Sequence, residues 1–182
     1  MPNNNSKPDK IKLKYPLCIG IGGVSRSGKT FLAYYLNRVI SNSIIINQDT
    51  YIPKESEIPE IKGHTDWERP EAIDWIKLSV AIEKVLQEGK TVIAEGLLAF
   101  NNDSINRLYS KRIFIELSHK EFIRRKKLDL RWGPEPDWYI DHIWESYLKY
   151  GKIPEEFSDV LILNGEQDFD FDKILQYVNH NV

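Results

Sequence analysis

The sequence predicts an α/β fold with a parallel sheet covered by helices on both sides, and three features predict it. Five short apolar runs recur along the 182 residues. Amphipathic stretches lie between them, and a glycine-flanked loop joins the first run to the first of those stretches.

The runs are LCIGIG at 17–22, SIIIN at 43–47, TVIAEG at 91–96, RIFIEL at 112–117 and DVLIL at 159–163. Each is nearly continuous and rich in β-branched residues, as strands buried on both faces are. The stretch KTFLAYYLNRVI at 29–40 follows the first run, and RPEAIDWIKLSVAIEKVLQEG at 69–89 precedes the third. In the latter, Ile73, Ile76, Val80, Ile82 and Val85 recur at three- and four-residue steps with one two-residue slip. That spacing predicts a helix whose apolar face they form. Pro70 suits its first turn and Gly89 its C-terminal cap. Strand and helix in alternation argue for a parallel sheet.

Bulk composition sets looser bounds. A formal net charge of −2 does not point to nucleic acid or an anionic membrane as partner. A single cysteine, Cys18, precludes a disulfide framework within the chain and fits a reducing compartment, hence a cytoplasmic or nuclear location. No run of 18 apolar residues suggests a membrane span, and the polar start MPNNNSKPDKIKLKYP lacks the apolar stretch of a signal peptide. Residues 1–14 are expected to be a disordered tail and 15–182 a single domain, acting as a monomer or weak homo-oligomer.

Two long stretches lack strand pattern. Residues 50–69 carry Pro53, Pro59 and Gly63; residues 124–138 carry Arg124, Arg125, Arg131, Gly133, Pro134 and Pro136. Loops of that length in a compact α/β domain are usually functional or disordered, and the second is expected to be a short lid.

The loop after the first run carries the chemistry. Gly23, Val24, Ser25, Arg26, Ser27, Gly28, Lys29 and Thr30 fit the P-loop pattern G-x-x-x-x-G-K-[ST] without a mismatch, between a predicted strand and a predicted helix. Glycines let the backbone curl so that N–H groups point inward, and the helix presents its positive end. Lys29 can reach the β- and γ-phosphates of a nucleoside triphosphate, and the Thr30 hydroxyl can ligate Mg²⁺. A GTPase should show Asp-x-x-Gly and Asn-Lys-x-Asp; neither string occurs. Motor-type ATPases usually carry more chain. A small-molecule kinase needs a base, a second acid for the metal and a cationic lid. Asp49, after the second run, is placed to accept a hydroxyl proton or to hold the metal, the alternative being a turn or cap. Glu95, ending the third run, stands where an acid reaches Mg²⁺ through water. Arg124, Arg125 and Arg131 suit the spread charge of a transferring phosphoryl group, although a cationic run is more often a solvated face.

Taken together, the strings IGIGGVSRSGKT, INQDTYIPKESEIP, DWERPEAIDW, VIAEGLLAFN, FIRRK and DHIWESYLKY resemble the nicotinamide riboside kinases, within the uridine kinase-like P-loop kinases. The resemblance runs from about residue 17 to 165. It implies a P-loop NTPase fold with a five-stranded parallel sheet, like that of nucleoside monophosphate kinases. It implies ATP and Mg²⁺, and phosphorylation of nicotinamide riboside on its 5′-hydroxyl to nicotinamide mononucleotide, the alternatives being a uridine/cytidine kinase or a non-catalytic nucleotide-binding protein. By this likeness Asp49 is the proton acceptor, catalytic with Lys29 and Arg125. Asp49, Thr50, Tyr51 and Ile52 border the substrate, and Trp67 and Glu68 grip base and ribose. Arg125 and Lys126 are lid positions, and Asn164, Gly165 and Glu166 lie where adenine does. A carboxylate such as Glu68 can accept from both vicinal ribose hydroxyls, and Trp67 can stack on a cationic pyridinium ring or can be a core residue. Three departures stand out. Glu68 replaces the family's usual Asp, QDT replaces QDD, and the lid needs about a one-residue deletion between Lys126 and His142. Arg131 and Trp132 are the distal-lid candidates. Trp138 and Tyr139 face the substrate or start a helix. His142 and His119 read as a satisfied structural histidine and a surface one.

Overall fold

The computed structural model describes residues 10–131 and 133–180. Strand β1 (Cys18–Gly23) leads through the P-loop into helix α1 (Lys29–Val39). Strand β2 (Ser43–Asn47) ends in a 3₁₀ turn, Gln48–Thr50. The 50–69 stretch contains an element the sequence pattern did not suggest, a two-stranded hairpin of β3 (Glu60–Ile61) and β4 (His64–Thr65). Helix α2 (Trp75–Gln87) precedes β5 (Thr91–Glu95), and a short α3 (Asp103–Asn106) precedes β6 (Lys111–Glu116). Then come α4 (His119–Lys127), α5 (Asp137–Ser146) with a π-helical turn at Tyr147–Gly151, β7 (Leu161–Asn164) and α6 (Phe171–Asn179).

All five expected strands form one parallel sheet in the order β2-β5-β1-β6-β7. The fourth starts one residue early, at Lys111, and the fifth two residues late, at Leu161. The register brings the strand ends level: Asn47 and Ile21 both pair with Glu95, Gly23 with Ile115, and Glu116 with Asn164. Ligands of open α/β sheets bind outside this carboxyl edge.

Side chains alternate across the sheet with period two. Cys18, Val92, Ala94 and Phe114 enter one core layer with Leu78, Ile82, Phe122, Ile143 and Tyr147. Ile19, Ile21, Ile93, Ile113 and Ile115 enter the other with Leu32 and Leu36 of α1 and Ile174 and Val178 of α6. Burial on both faces explains the continuous apolar runs.

The helix expected over 69–89 is corrected in two ways. Pro70 opens a separate 3₁₀ turn (Pro70–Ala72), because Ile73 is extended and Asp74 restarts the chain as N-cap, its carboxylate accepting from Lys77 N at 3.0 Å. The buried face of α2 is Leu78 and Ile82, whereas Ile76 and Val80 are 78% and 58% exposed. The two-residue slip in the spacing marked this change of face. Gly89 does end the helix, with φ of +72°. Within the stretch expected to be a tail, Ile11 bridges Ile40, with Ile11 N donating to Val39 O at 2.7 Å. Among the described residues no helix is long and apolar enough to cross a membrane.

Candidate active site

The P-loop closes over the sheet edge by sterics that only glycine meets. Gly23 has φ of +141°, and a Cβ there would collide with the carbonyl of Ile115. Gly28, at φ of +110°, is the N-cap of α1 and offers no side chain to its first N–H groups. Arg26 takes the left-handed conformation at φ of 65°. Lys29 is buried, and its Nζ donates to Val24 O at 3.0 Å. Burial pulls its pKa down, while Glu95, Asp49 and Glu68 oppose that shift. The Ser27 hydroxyl is buried with no partner. These uncapped N–H groups, the hydroxyl and the ammonium form a cradle of donors, which fits phosphate oxygens.

Two acids stand beside it. Thr30 Oγ1 donates to Glu95 Oε1 at 3.0 Å, and burial raises the Glu95 pKa. Asp49 is exposed on the 3₁₀ turn, its N–H donating to Asn47 Oδ1 at 2.9 Å. Its charge reaches Lys29, Glu95 and Glu68. Thr50 returns its hydroxyl to Asn47 O, Tyr51 packs against the core, and Ile52 is exposed. Gln48, which sequence reasoning passed over, turns inward and accepts from Leu98 N at 3.1 Å. Among the described residues no cluster of three or more His, Cys, Asp or Glu could hold a metal by itself. Thr30, Glu95 and Asp49 instead fit a hard cation that takes its other oxygens from phosphate and water.

A cleft of about 480 Å³ opens between the β3–β4 hairpin and the start of α5. Its walls include Trp67, Trp138, Tyr139, His64 and Glu135. Trp67 is 44% exposed, so it is a wall and not a core residue. Trp138 and Tyr139 start α5 and also line the cleft. Glu68 lies next to Trp67; burial pushes its carboxyl up to about 7, Lys126 opposes, and Asp49, Asp66 and Glu135 add to the rise. Asp66 is buried, accepts from Glu68 N at 3.2 Å and lies 2.7 Å from His142 Nε2. His142 is thus a satisfied structural histidine, as expected. Its partner lies 76 residues away, so no spacing could reveal the pair. His119 lies against Trp144, ring centroids 4.7 Å apart, at the start of α4.

The 124–138 stretch is the last turn of α4, a loop and the start of α5. Arg125 reaches the P-loop, donating to Arg26 O at 3.1 Å, to Gly165 O at 2.8 Å and to Glu121 at 2.6 Å. It therefore joins the phosphate loop to the segment after β7. Arg124 pairs with Glu121 and is largely exposed. Arg131 is bidentate to Asp129, which also lies 3.8 Å from Arg26. Trp132 lies outside the described residues. Asn164 Oδ1 accepts from Glu166 N, and Glu166 Oε1 accepts from Ser118 N at the start of α4. Gly165 is packed against Ser27 O and Glu116 O, too closely for a side chain. Asp129 and Glu135, both unassigned by the sequence, hold Arg131 and Lys126.

No family model matches the chain. It is 30% identical over 165 residues to human nicotinamide riboside kinase 1, covering 81% of this chain and 83% of that protein. A uridine kinase of Lactobacillus helveticus is 23% identical over 191 residues, covering 86% and 90%. The solved thymidylate kinase of Candida albicans superposes with a TM-score of 0.61 at 19% identity, over 92% of this chain and 94% of that one. That likeness is one of fold, the P-loop kinase sheet and its flanking helices.

Proposed function

The chain belongs to the nicotinamide riboside kinase family, and we propose that it moves the γ-phosphoryl group of ATP to the 5′-hydroxyl of nicotinamide riboside. The products are nicotinamide mononucleotide, for NAD salvage, and ADP. One observation carries the reading. The Glu68 carboxylate, next in the chain to Trp67 of the cleft wall, acts on Lys29 and is acted on by Asp49, so the cleft adjoins the phosphate loop.

In this reading the cradle at 23–30 binds the ATP phosphates, and Lys29, kept dry, neutralises charge on the group in transit. Asp49 orients the 5′-hydroxyl and takes its proton as the new P–O bond forms and the bond to ADP breaks. Mg²⁺, for which Thr30, Glu95 and Asp49 are suited, would screen the phosphate charges when bound. Glu68 accepts from the two ribose hydroxyls, and Trp67 stacks on the pyridinium. Arg125 and Lys126 bring the lid over ATP and riboside, and Arg131 needs only to leave Asp129 to join them. Asn164, Gly165 and Glu166 border the adenine. Holding the two reactants together supplies most of the rate.

The test is coupled ADP release with Mg-ATP against nicotinamide riboside, uridine, cytidine and 2′-deoxyuridine. Highest kcat/KM with nicotinamide riboside is expected. Highest kcat/KM with a pyrimidine riboside would make the protein a uridine/cytidine kinase of the same mechanism. ATP binding without turnover on any of them would make it a non-catalytic nucleotide-binding protein.

A further inference from the structure

Glu68, the acid read as the ribose grip, lies between β4 and the 3₁₀ turn at Pro70–Ala72, where neither strand nor helix fixes the backbone. Asp66 braces it instead. The Asp66 N–H donates to Pro59 O at 2.8 Å, and Asp66 Oδ1 accepts from Glu68 N at 3.2 Å, closing a turn over Trp67. The same oxygen lies 2.7 Å from His142 Nε2. A carboxylate only accepts, so Nε2 carries the proton. Asp66 is 3% exposed, so these two donors, and not bulk water, set the orientation of its carboxylate. His142 stands on α5, one turn after Trp138 and Tyr139. Asp66 thereby joins the two walls of the cleft. Trp67 lies on the turn that it closes, and Trp138 and Tyr139 lie on the helix whose histidine holds it.

We propose that Asp66, held by His142, is a positioning residue for the phosphoryl transfer: it aims the Glu68 carboxylate at the two ribose hydroxyls and so sets the discrimination against 2′-deoxyribosides. Without the acceptor at position 66, the Glu68 backbone is free to turn. A carboxylate displaced by about 1 Å no longer meets both hydroxyls well, and displacements of that size are costly in catalysis. This deepens the ribose-grip reading of Glu68 and rests on it.

The experiment measures kcat/KM for nicotinamide riboside and for its 2′-deoxy analogue and takes their ratio. The ratio is read within one preparation, so a partial loss of folded protein cancels, and a role in stability alone leaves it unmoved. The natural chain should favour the riboside at least about 100-fold. Asp66→Ala should shrink that preference about tenfold or more, with the KM for ATP within about twofold of normal. His142→Phe keeps a ring, removes the donor and should shrink the preference about threefold or more. Asp66→Asn keeps an oxygen for both donors and should restore most of it. Equal use of both compounds by the natural chain overturns the proposal. So does an unchanged ratio in Asp66→Ala or in His142→Phe, or an Asp66→Asn variant no better than Asp66→Ala. If one of the two disruptive variants does not fold, the other decides. Glu68→Ala is the control for the grip itself. A preference that survives Glu68→Ala removes the grip and the proposal together, whereas one lost in Glu68→Ala and intact in Asp66→Ala removes the proposal alone. Uridine and 2′-deoxyuridine are run alongside. Turnover confined to that pair would defeat the pyridinium reading, and the ratio on it would still decide the role of Asp66.

Discussion

Thr30 Oγ1 donates to Glu95 Oε1 across 3.0 Å, tying the first turn of α1 to the carboxyl end of β5. The hydroxyl suited to the metal and the acid suited to its water shell are therefore held together. Glu95→Gln should leave ATP binding without metal near normal and raise the Mg²⁺ concentration for half-maximal activity about 10–100-fold. A Mg²⁺ titration of ADP release checks this; an unchanged midpoint would remove Glu95 from the metal site.

Asp49 is exposed on the turn after β2, yet its charge reaches Lys29 and Glu95. Asp49→Asn should retain ATP binding and lose roughly 100-fold or more in kcat. Near-normal turnover would exclude it as the proton acceptor.

Arg125 clasps Arg26 O and Gly165 O with its two terminal nitrogens. Lysine has the charge without the fork. Arg125→Lys should raise the KM for ATP about tenfold, with a smaller effect on the KM for the riboside. Equal changes in both would place Arg125 in general folding.

The Glu68 carboxyl is raised to about 7, first by burial. In the unfolded chain it titrates near the ordinary carboxylate value, so between that value and pH 7 the folded state holds the extra proton. Folding stability therefore falls as pH rises through this window and levels off above it. Glu68→Gln should melt higher than the natural chain at pH 8 and at a similar temperature at pH 5. Function runs the other way, because the ionised carboxylate is the better acceptor for two hydroxyls. The riboside KM should fall from pH 6 to pH 8 in the natural chain and stay flat in Glu68→Gln. A flat KM in both would show that Glu68 does not grip the ribose.

Gly96 follows β5, and a Cβ there would lie 2.6 Å from Gln48 Cβ and collide with the Gln48 side-chain oxygen. Gln48 is the first residue of the turn that carries Asp49. Gly96→Ala should lower stability by about 1–3 kcal/mol by overpacking, and kcat should fall more than that loss explains at a temperature where the variant is folded. Thermal melting beside kinetics separates the two; stability loss alone would uncouple Gly96 from the site.

The order of strands and helices and the phosphate loop were legible in the chain, because both are local. Burial on both faces writes a continuous apolar run, and a P-loop needs its glycines, lysine and threonine at fixed offsets. Asp49, Glu95, Trp67 and Glu68 were legible only as neighbours of strand ends or through family likeness. What remained hidden depends on contacts between distant residues. Which face of α2 is buried was decided by the sheet beneath it, so Leu78 and Ile82 face inward and Ile76 and Val80 do not. The pairing of Asp66 with His142 and the clasp of Arg125 on Gly165 join segments brought together only by folding. Sequence by itself determined the sheet and the phosphate-binding loop. Tertiary structure decided which charges face the cleft, because hydrogen-bond partners are set by distance in space and not along the chain.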